Sequence, residues 1–130
     1  MTAAVPSSSV AGAGEPGADL DRRFGGLARL YGVEGACRIR GAHVAVVGIG
    51  GVGSWAAEAL ARSGVGRITL VDLDHVAESN INRQIHALTD TVGQAKVQAM
   101  RERIGRIHPG CVVHGVEEFC LLYTSPSPRD

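Results

Sequence analysis

A glycine-rich segment, Gly48-Ile49-Gly50-Gly51-Val52-Gly53, lies between a short apolar run and a stretch with helical spacing. Glycine lets a backbone turn tightly and approach phosphate oxygens, and a helix start offers free N–H groups and the positive end of its dipole. Asp72 closes the next apolar run, about 20 residues further on, where its carboxylate could accept hydrogen bonds from ribose hydroxyls. Together they predict a nucleotide site in preference to a purely structural turn, and they leave the nucleotide open.

Two basic residues downstream, Arg83 and Lys96, bear on which nucleotide is bound. A nicotinamide cofactor brings only a pyrophosphate, which a helix N-terminus can satisfy alone. A triphosphate carries more negative charge, and breaking its α–β bond needs cations where charge develops. An arginine and a lysine are weak indicators singly. Their order after the glycine segment and Asp72 favours ATP, while an NAD or flavin site stays an alternative.

The segments around these residues alternate between strand and helix. Apolar runs at 44–47 and 68–71 predict buried strands, the first of them buried on both faces, and a third strand is predicted at 112–116. Helical spacing predicts one helix that Gly64 ends and another that stops near 109–110. The faces that define these helices are Val52, Ala56, Ala59, Leu60 and Ser63 in the first and Val97, Met100, Ile104 and Ile107 in the second. This order predicts an α/β fold, the N-terminal half of a Rossmann-like doubly wound parallel sheet.

The N-terminal part of the chain has a different composition. Residues 1–19 are rich in proline, serine and glycine and lack aromatic side chains, which predicts a disordered leader rather than a secretory signal. Residues 20–35 look helical, and the Gly25-Gly26 pair makes a break plausible there. The candidate core positions of this helix are Leu27, Leu30, Tyr31 and Val33.

The C-terminal residues 120–130 continue neither a strand nor a helix. They resemble translated sequencing-adapter read-through, with a genuine Ser-Pro linker as the alternative. On the first interpretation, residues 20–119 are the truncated N-terminal part of one ATP-binding domain. No stretch approaches the roughly 18 consecutive apolar residues of a membrane helix, and we expect a cytoplasmic protein without a membrane segment.

The charge balance gives no sign of a nucleic-acid surface. Thirteen basic and thirteen acidic residues give a formal net charge of zero. Arg101, Arg103 and Arg106 share one predicted helix, and we expect them to form a solvated face. The three cysteines are widely spaced and form no CxxC pair, so buried free thiols are expected instead of a zinc site or a disulfide.

Four separated motifs now carry a resemblance, which covers residues 23–119. They are Gly48-x-Gly50-Gly51-x-Gly53, Asp72-x-Asp74, Asn80-x-x-Arg83-Gln84 and Gly93-x-x-Lys96. In this order they resemble the adenylation domain of ubiquitin-activating enzymes and their bacterial relatives in thiamine and molybdopterin synthesis. Within that superfamily the chain is most similar to the bacterial tRNA threonylcarbamoyladenosine dehydratases. The stretches that favour this family are 23–32, 53–60 and 82–88.

The resemblance implies roles for these residues. The glycines would line ATP, Asp72 would hold the ribose with Asp74 in support, and a further set would contact the triphosphate. That set is Asn80, Arg83, Gln84 and Lys96, of which Arg83 and Lys96 are the candidate catalytic cations. In this family the threonyl carboxylate of the modified tRNA adenosine attacks the α-phosphate of ATP, with Mg²⁺ bound, and ring closure then releases AMP. A homodimer is typical, and a sulfur-transfer protein is a possible partner.

Two departures from the superfamily pattern limit the analogy. Sulfur-carrier-activating relatives have a Tyr-x-Arg-Gln motif near the start, and Phe24-Gly25-Gly26-Leu27 stands there instead, so Arg23 and Arg29 are only candidates for its role. The family's magnesium-binding aspartate lies beyond the third strand, so no metal ligand is assigned here.

Two other functions fit the same motifs, and two residues near them are expected to have structural roles. The chain could instead adenylate the C-terminal glycine of a ubiquitin-like sulfur carrier, or bind NAD or FAD without adenylation. We expect Trp55 to pack in the core and not to stack on a base. We expect His86 to be a structural or supporting group and not a general base.

Overall fold

The computed structural model describes residues 18–117. Within them the elements alternate between helix and strand as the sequence predicts. They are α1 (Leu20–Arg40), β1 (His43–Val47), α2 (Gly53–Arg62), β2 (Arg67–Val71), a 3₁₀ turn (Glu78–Asn80), α3 (Lys96–Ile107) and β3 (Val112–Val116).

The strands form a parallel sheet with the order β1-β2-β3. His43, Arg67 and Val112 lie side by side at one end, and Val47, Val71 and Val116 lie side by side at the other. Parallel neighbours joined by helices are the building units of a doubly wound sheet. The predicted fold class is therefore confirmed, and the carboxyl ends of all three strands meet at one edge.

The core lies on one face of this sheet. Ile68 and Leu70 of β2 are fully buried there against Ala57 of α2 and Met100 of α3, in one cluster with other apolar residues. The opposite face of β1 carries His43, Ala45 and Val47, and Val47 is 58% exposed. The prediction that β1 is buried on both faces is wrong for the described residues, because both crossover helices pack on the same side.

Helix α2 turns a different face inward from the one predicted. Its buried residues are Ser54, Ala57, Glu58 and Ala61. Val52, Ala56 and Ala59 point outward, and only Leu60 of the predicted face packs against the core. The error has a simple cause: alanines occupy nearly every side of this helix, so apolar spacing alone does not choose among faces. The predicted face of α3 is confirmed, with Val97, Met100 and Ile104 buried.

Helix α1 also differs from expectation. It continues through Gly25-Gly26 and bends at Gly32, whose φ of 83° and ψ of 162° are not helical. Phe24 is its buried residue, and the ring of Phe24 lies 4.7 Å from the ring of His108. The candidate core positions Leu30, Tyr31 and Val33 are exposed, and Leu27 is half-buried.

Some predictions fall at the limits of the described residues. Asp19, assigned to the leader, is the N-cap of α1, and its side chain accepts a hydrogen bond from the Arg22 N–H. The rest of the leader and the 120–130 tail lie outside residues 18–117 and stay predictions. Cys37 is exposed, contrary to expectation, whereas burial raises the pKa of the half-buried Cys111 thiol to about 11. No helix within 18–117 is long and apolar enough to cross a membrane.

A candidate nucleotide-binding site

The glycine segment forms a tight turn between the end of β1 and the start of α2. Gly48 has a φ of 92°, a conformation that side chains disfavour, and its N–H donates to the Val71 carbonyl at 2.8 Å. A Cβ at Gly53 would lie 1.7 Å from the Gly48 carbonyl oxygen, closer than any two such atoms can approach. The turn therefore requires glycine at both of its ends.

The same turn leaves a row of backbone donors free. The Ser54 N–H donates to the Gly50 carbonyl, which begins the helical pattern of α2. Within residues 18–117, the N–H groups of Gly50, Gly51, Val52 and Gly53 donate to no other residue. Consecutive free N–H groups at a helix N-terminus bind anions, because the donors converge and the helix dipole adds positive potential.

Asp72 stands at the carboxyl end of β2 and supports this turn. It is 4% exposed, and its two oxygens accept hydrogen bonds from the Ile49 N–H at 2.6 Å and from the Asp74 N–H at 2.7 Å. A carboxylate has about four acceptor sites, so each oxygen keeps capacity for a further donor such as a ribose hydroxyl. The structure thus gives Asp72 a task that the sequence did not predict, in addition to the ribose role that stays a prediction.

The segment between Asp72 and α3 is held by its own hydrogen bonds. The Val76 N–H donates to Gln94, and the Gly93 N–H donates back to the Val76 carbonyl, both at 2.8 Å. Asn80 is buried, and its side-chain oxygen accepts from the Ala77 N–H. Asn80 therefore shapes this loop, and its side-chain N–H₂ remains for any contact with phosphate.

Arg83 lies beside the glycine turn. Its Cδ is 3.9 Å from where a Cβ of Gly51 would stand. Its guanidinium is exposed and donates to two neutral oxygens, the Ser79 carbonyl and the Asn82 side chain. These contacts hold the charge near the free N–H groups without neutralising it.

Trp55 occupies a position that differs from the prediction. The indole is 53% exposed and is not part of the core, so the expectation of core packing is wrong. Its Nε1–H donates to the Arg83 carbonyl at 2.8 Å. This hydrogen bond ties the first turn of α2 to the loop that carries Arg83, which gives the exposed indole a structural role.

Gln84 and Lys96 complete the predicted set. Gln84 is buried, and its Nε2 is 3.8 Å from where a Cβ of Gly50 would stand. Lys96 is 7% exposed at the first position of α3, where its N–H donates to the Asp74 carbonyl. None of the hydrogen bonds or ion pairs seen within 18–117 involves its ammonium. Lys96 and the Asp72 carboxylate both influence the pKa of the His86 ring, so both charges lie near that ring.

Sequence reasoning missed two polar residues of α2. Glu58 is nearly buried and accepts hydrogen bonds from Arg62 and Arg103. Arg103 is therefore not part of a solvated face, whereas Arg101 and Arg106 are exposed. Ser54 is fully buried, and its hydroxyl accepts from the Ile85 N–H at 3.3 Å. Ser54 and Glu58 lie one helical turn apart on a helix made mostly of small residues, and this spacing is the sequence signal that could have indicated a shared buried face.

A metal site is not formed by the described residues. Among them, no three His, Cys, Asp or Glu side chains lie together in a way that could hold a metal ion. Asp72, the most buried carboxylate at the site, already accepts two backbone N–H groups. Residues 18–117 therefore do not fit Mg²⁺ by themselves.

A parallel sheet whose strand ends meet beside a glycine turn, with free N–H groups and Arg83 next to it, defines a domain of the Rossmann-like class. The family model described as the ThiF family matches residues 21–124, and the chain belongs to this family. The resemblance inferred from the four motifs is thereby confirmed.

Individual relatives give a finer comparison. The tRNA threonylcarbamoyladenosine dehydratase of Escherichia coli (strain K12) is 60% identical over 98 residues, which cover 75% of this chain and 37% of the relative. The molybdopterin-synthase adenylyltransferase of Salmonella typhimurium is 43% identical over 83 residues, which cover 64% of this chain and 33% of the relative. A crystal structure of the E. coli dehydratase in complex with ATP matches with a TM-score of 0.76 and 52% identity, covering 85% of this chain and 48% of that one. The chain spans 35–39% of the length of the three bacterial dehydratases that it matches.

Proposed function

We propose that this chain is the nucleotide-binding part of an ATP-dependent adenylating enzyme that dehydrates threonylcarbamoyladenosine in tRNA to its cyclic form. The observation that carries the proposal is the row of free N–H groups at 50–53 with Arg83 beside it. Four donors and a guanidinium suit a triphosphate better than the single pyrophosphate of a dinucleotide. The 60% identity with a dehydratase, against 43% with an adenylyltransferase for a sulfur carrier, supports the tRNA substrate.

The proposed chemistry assigns each residue a task. The glycine turn and Gln84 hold the phosphates, and Asp72 with Asp74 orients the ribose. A substrate carboxylate oxygen forms a bond to the α-phosphorus, and the bond to the bridging oxygen breaks. As pyrophosphate leaves, Arg83 and Lys96 stabilise the charge that grows on the bridging and β-phosphate oxygens. Attack by the carbamoyl group on the activated carbonyl then closes the ring and releases AMP.

The proposal extends to components outside the described residues. It includes Mg²⁺ bound by an aspartate that is not among residues 18–117, a homodimer, a cytoplasmic location and an optional sulfur-transfer partner. The ion would neutralise phosphate charge when bound. The support for these components is the family membership.

Exchange of labelled pyrophosphate into ATP tests the proposal, because only adenylation makes the exchange possible. We expect a full-length protein that carries this chain to catalyse exchange when tRNA containing threonylcarbamoyladenosine is added. Exchange with a sulfur-carrier protein instead would establish the alternative substrate. Nucleotide binding without any exchange would favour the non-adenylating module and overturn the proposal.

A further inference from the structure

His86 is buried in the loop between β2 and α3, and its ring reaches the glycine turn. The side chain is 1% exposed, and its Nε2 lies 2.8 Å from the Ile49 carbonyl oxygen. Because a carbonyl can only accept, Nε2 must carry the proton and donate. Within residues 18–117 the other ring nitrogen, Nδ1, has no partner. His86 therefore donates from Nε2, and burial lowers the pKa of the ring, which favours the neutral form.

The carbonyl that His86 engages has a particular place in the helix pattern. In an α-helix each N–H donates to the carbonyl four residues earlier, and the first N–H groups of the helix have no such partner. Ser54 follows this rule and donates to Gly50 at 3.0 Å. Gly53 is the first residue of α2 and its N–H has no partner in the helix, whereas the Ile49 carbonyl, just before the free N–H groups, is bonded to His86.

Ile49 is also held from its other side. Its N–H donates to Asp72, and its side chain is fully buried in the core. The residue can therefore neither rotate nor shift while both bonds persist. Since His86 follows Arg83 by three positions, the same bond joins the Arg83 segment to the turn.

We propose that His86 is a positioning residue for nucleotide binding, which fixes the glycine turn at Ile49 and joins it to the segment that carries Arg83, so that the free N–H groups of 50–53 keep their place for phosphate. The inference rests on the proposed function and deepens it. In this role His86 acts through Ile49 and not by contact with the nucleotide.

Calorimetric titration of the full-length protein with ATP and with adenosine tests this role. Loss of the bond in His86→Leu should weaken ATP binding about 10-fold or more and leave adenosine binding within about twofold. His86→Gln, whose amide can donate to the same carbonyl, should recover most of the loss. His108→Leu is the matched control, because His108 is equally buried but packs on Phe24, and it should lower the melting temperature without changing ATP affinity.

The outcomes separate the two proposals. A parent protein that binds neither ligand would defeat the proposed function. A parent that binds ATP, with His86→Leu binding it equally well or losing ATP and adenosine affinity alike, would overturn the role of His86. If His86→Leu does not fold, His86→Asn and His86→Gln are compared, because the shorter amide of asparagine should not reach Ile49. A lower ratio of ATP affinity to adenosine affinity in His86→Asn than in His86→Gln supports the role of His86, and equal ratios overturn it.

Discussion

Arg103 of α3 donates its Nε–H to the carboxylate of Glu58 of α2, and Arg62 approaches the same carboxylate at 2.9 Å. Burial alone would raise the pKa of Glu58, but the hydrogen bonds from Arg103 and Arg62 outweigh it and hold the pKa below its usual value. The bond joins the two helices that cover the sheet, and it does so on the face that apolar spacing did not identify.

Removing this link should destabilise the fold. Glu58→Gln should lower the free energy of unfolding by about 1.5–3 kcal/mol, the range for hydrogen bonds to charged groups. Arg62→Ala is the control, because Arg62 is exposed and bonds to Glu58 within α2, so its loss should cost less and leaves the bond between the two helices in place. Urea unfolding of the full-length protein measures both. Equal losses in the two variants would show that the link between helices has no special weight.

Two glycines of the turn should respond differently to alanine. Gly53→Ala places a Cβ against the Gly48 carbonyl, so we expect loss of the native turn and a fall in stability of about 2 kcal/mol or more. Gly51→Ala meets only ordinary contacts and should fold within about 0.5 kcal/mol of the parent. It should nevertheless weaken ATP binding, because the new methyl group stands where a phosphate would approach. Unchanged ATP affinity in Gly51→Ala would place the phosphates elsewhere.

Arg83 should contribute to the rate of adenylation more than to ATP affinity. Arg83→Ala should reduce exchange turnover by about 10²–10³, by analogy with the loss of a preorganised electrostatic donor. Arg83→Lys should recover part of this rate, because an ammonium keeps the charge but not the planar fork. Arg101→Ala, which removes an exposed arginine that donates to the Val113 carbonyl, should retain the parent turnover. If Arg83→Ala stays within about threefold of the parent, Lys96 becomes the leading candidate.

Asp72 should affect both the turn and the nucleotide. Asp72→Ala removes the acceptor of the Ile49 and Asp74 N–H groups and a ribose ligand, so ATP binding should weaken by roughly 10- to 150-fold. Asp72→Asn keeps one side-chain oxygen for the turn and should fold better than Asp72→Ala. Titration with ATP, set beside the melting temperature of each variant, separates the two effects. Full ATP affinity in a folded Asp72→Ala protein would refute the ribose role.

Stability should fall on mild acidification. Burial lowers the pKa of both His86 and His108 from the usual value of 6.5, so the unfolded chain binds protons that the folded one does not. Their contribution is intact above about pH 6.5 and is lost as the pH falls below it, by at most about 1.4 kcal/mol per pH unit for each histidine. Unfolding free energies at pH 7.5 and 5.5 measure the slope. His108→Phe, which cannot titrate, should show a smaller loss than the parent, and an identical slope would assign the effect to other groups.

The sequence predicted best what depends on element order. Three apolar runs with helical segments between them sufficed for the parallel sheet, because strand pairing follows from chain connectivity. The glycine turn and the residues at the strand ends were found for the same reason. The hydrogen bonds that link these parts of the site could not be predicted, since the bonds of Asp72 and His86 to Ile49 join residues far apart in sequence.

The errors lie where side-chain type does not determine burial. Leu30 and Val33 are apolar but exposed, and Glu58 is charged but nearly buried. The sequence predicts core packing for Trp55, but its indole N–H donates to the Arg83 carbonyl at the surface. Such positions depend on which partner atom is near, and residue type and spacing carry no information about that.

The hydrogen bonds inside the loop from 72 to 95 reduce the conformational entropy that the loop can lose when a ligand binds. Loops longer than about 12–15 residues usually lose much conformational entropy when a ligand orders them. Here the Thr91 hydroxyl accepts from the Leu88 N–H and donates to the His86 carbonyl, and the Val76 N–H donates to the Gln94 carbonyl. The entropy of this loop is therefore lost when the protein folds and not when the ligand binds. ATP would meet a preformed surface, and its association should proceed without a slow ordering phase.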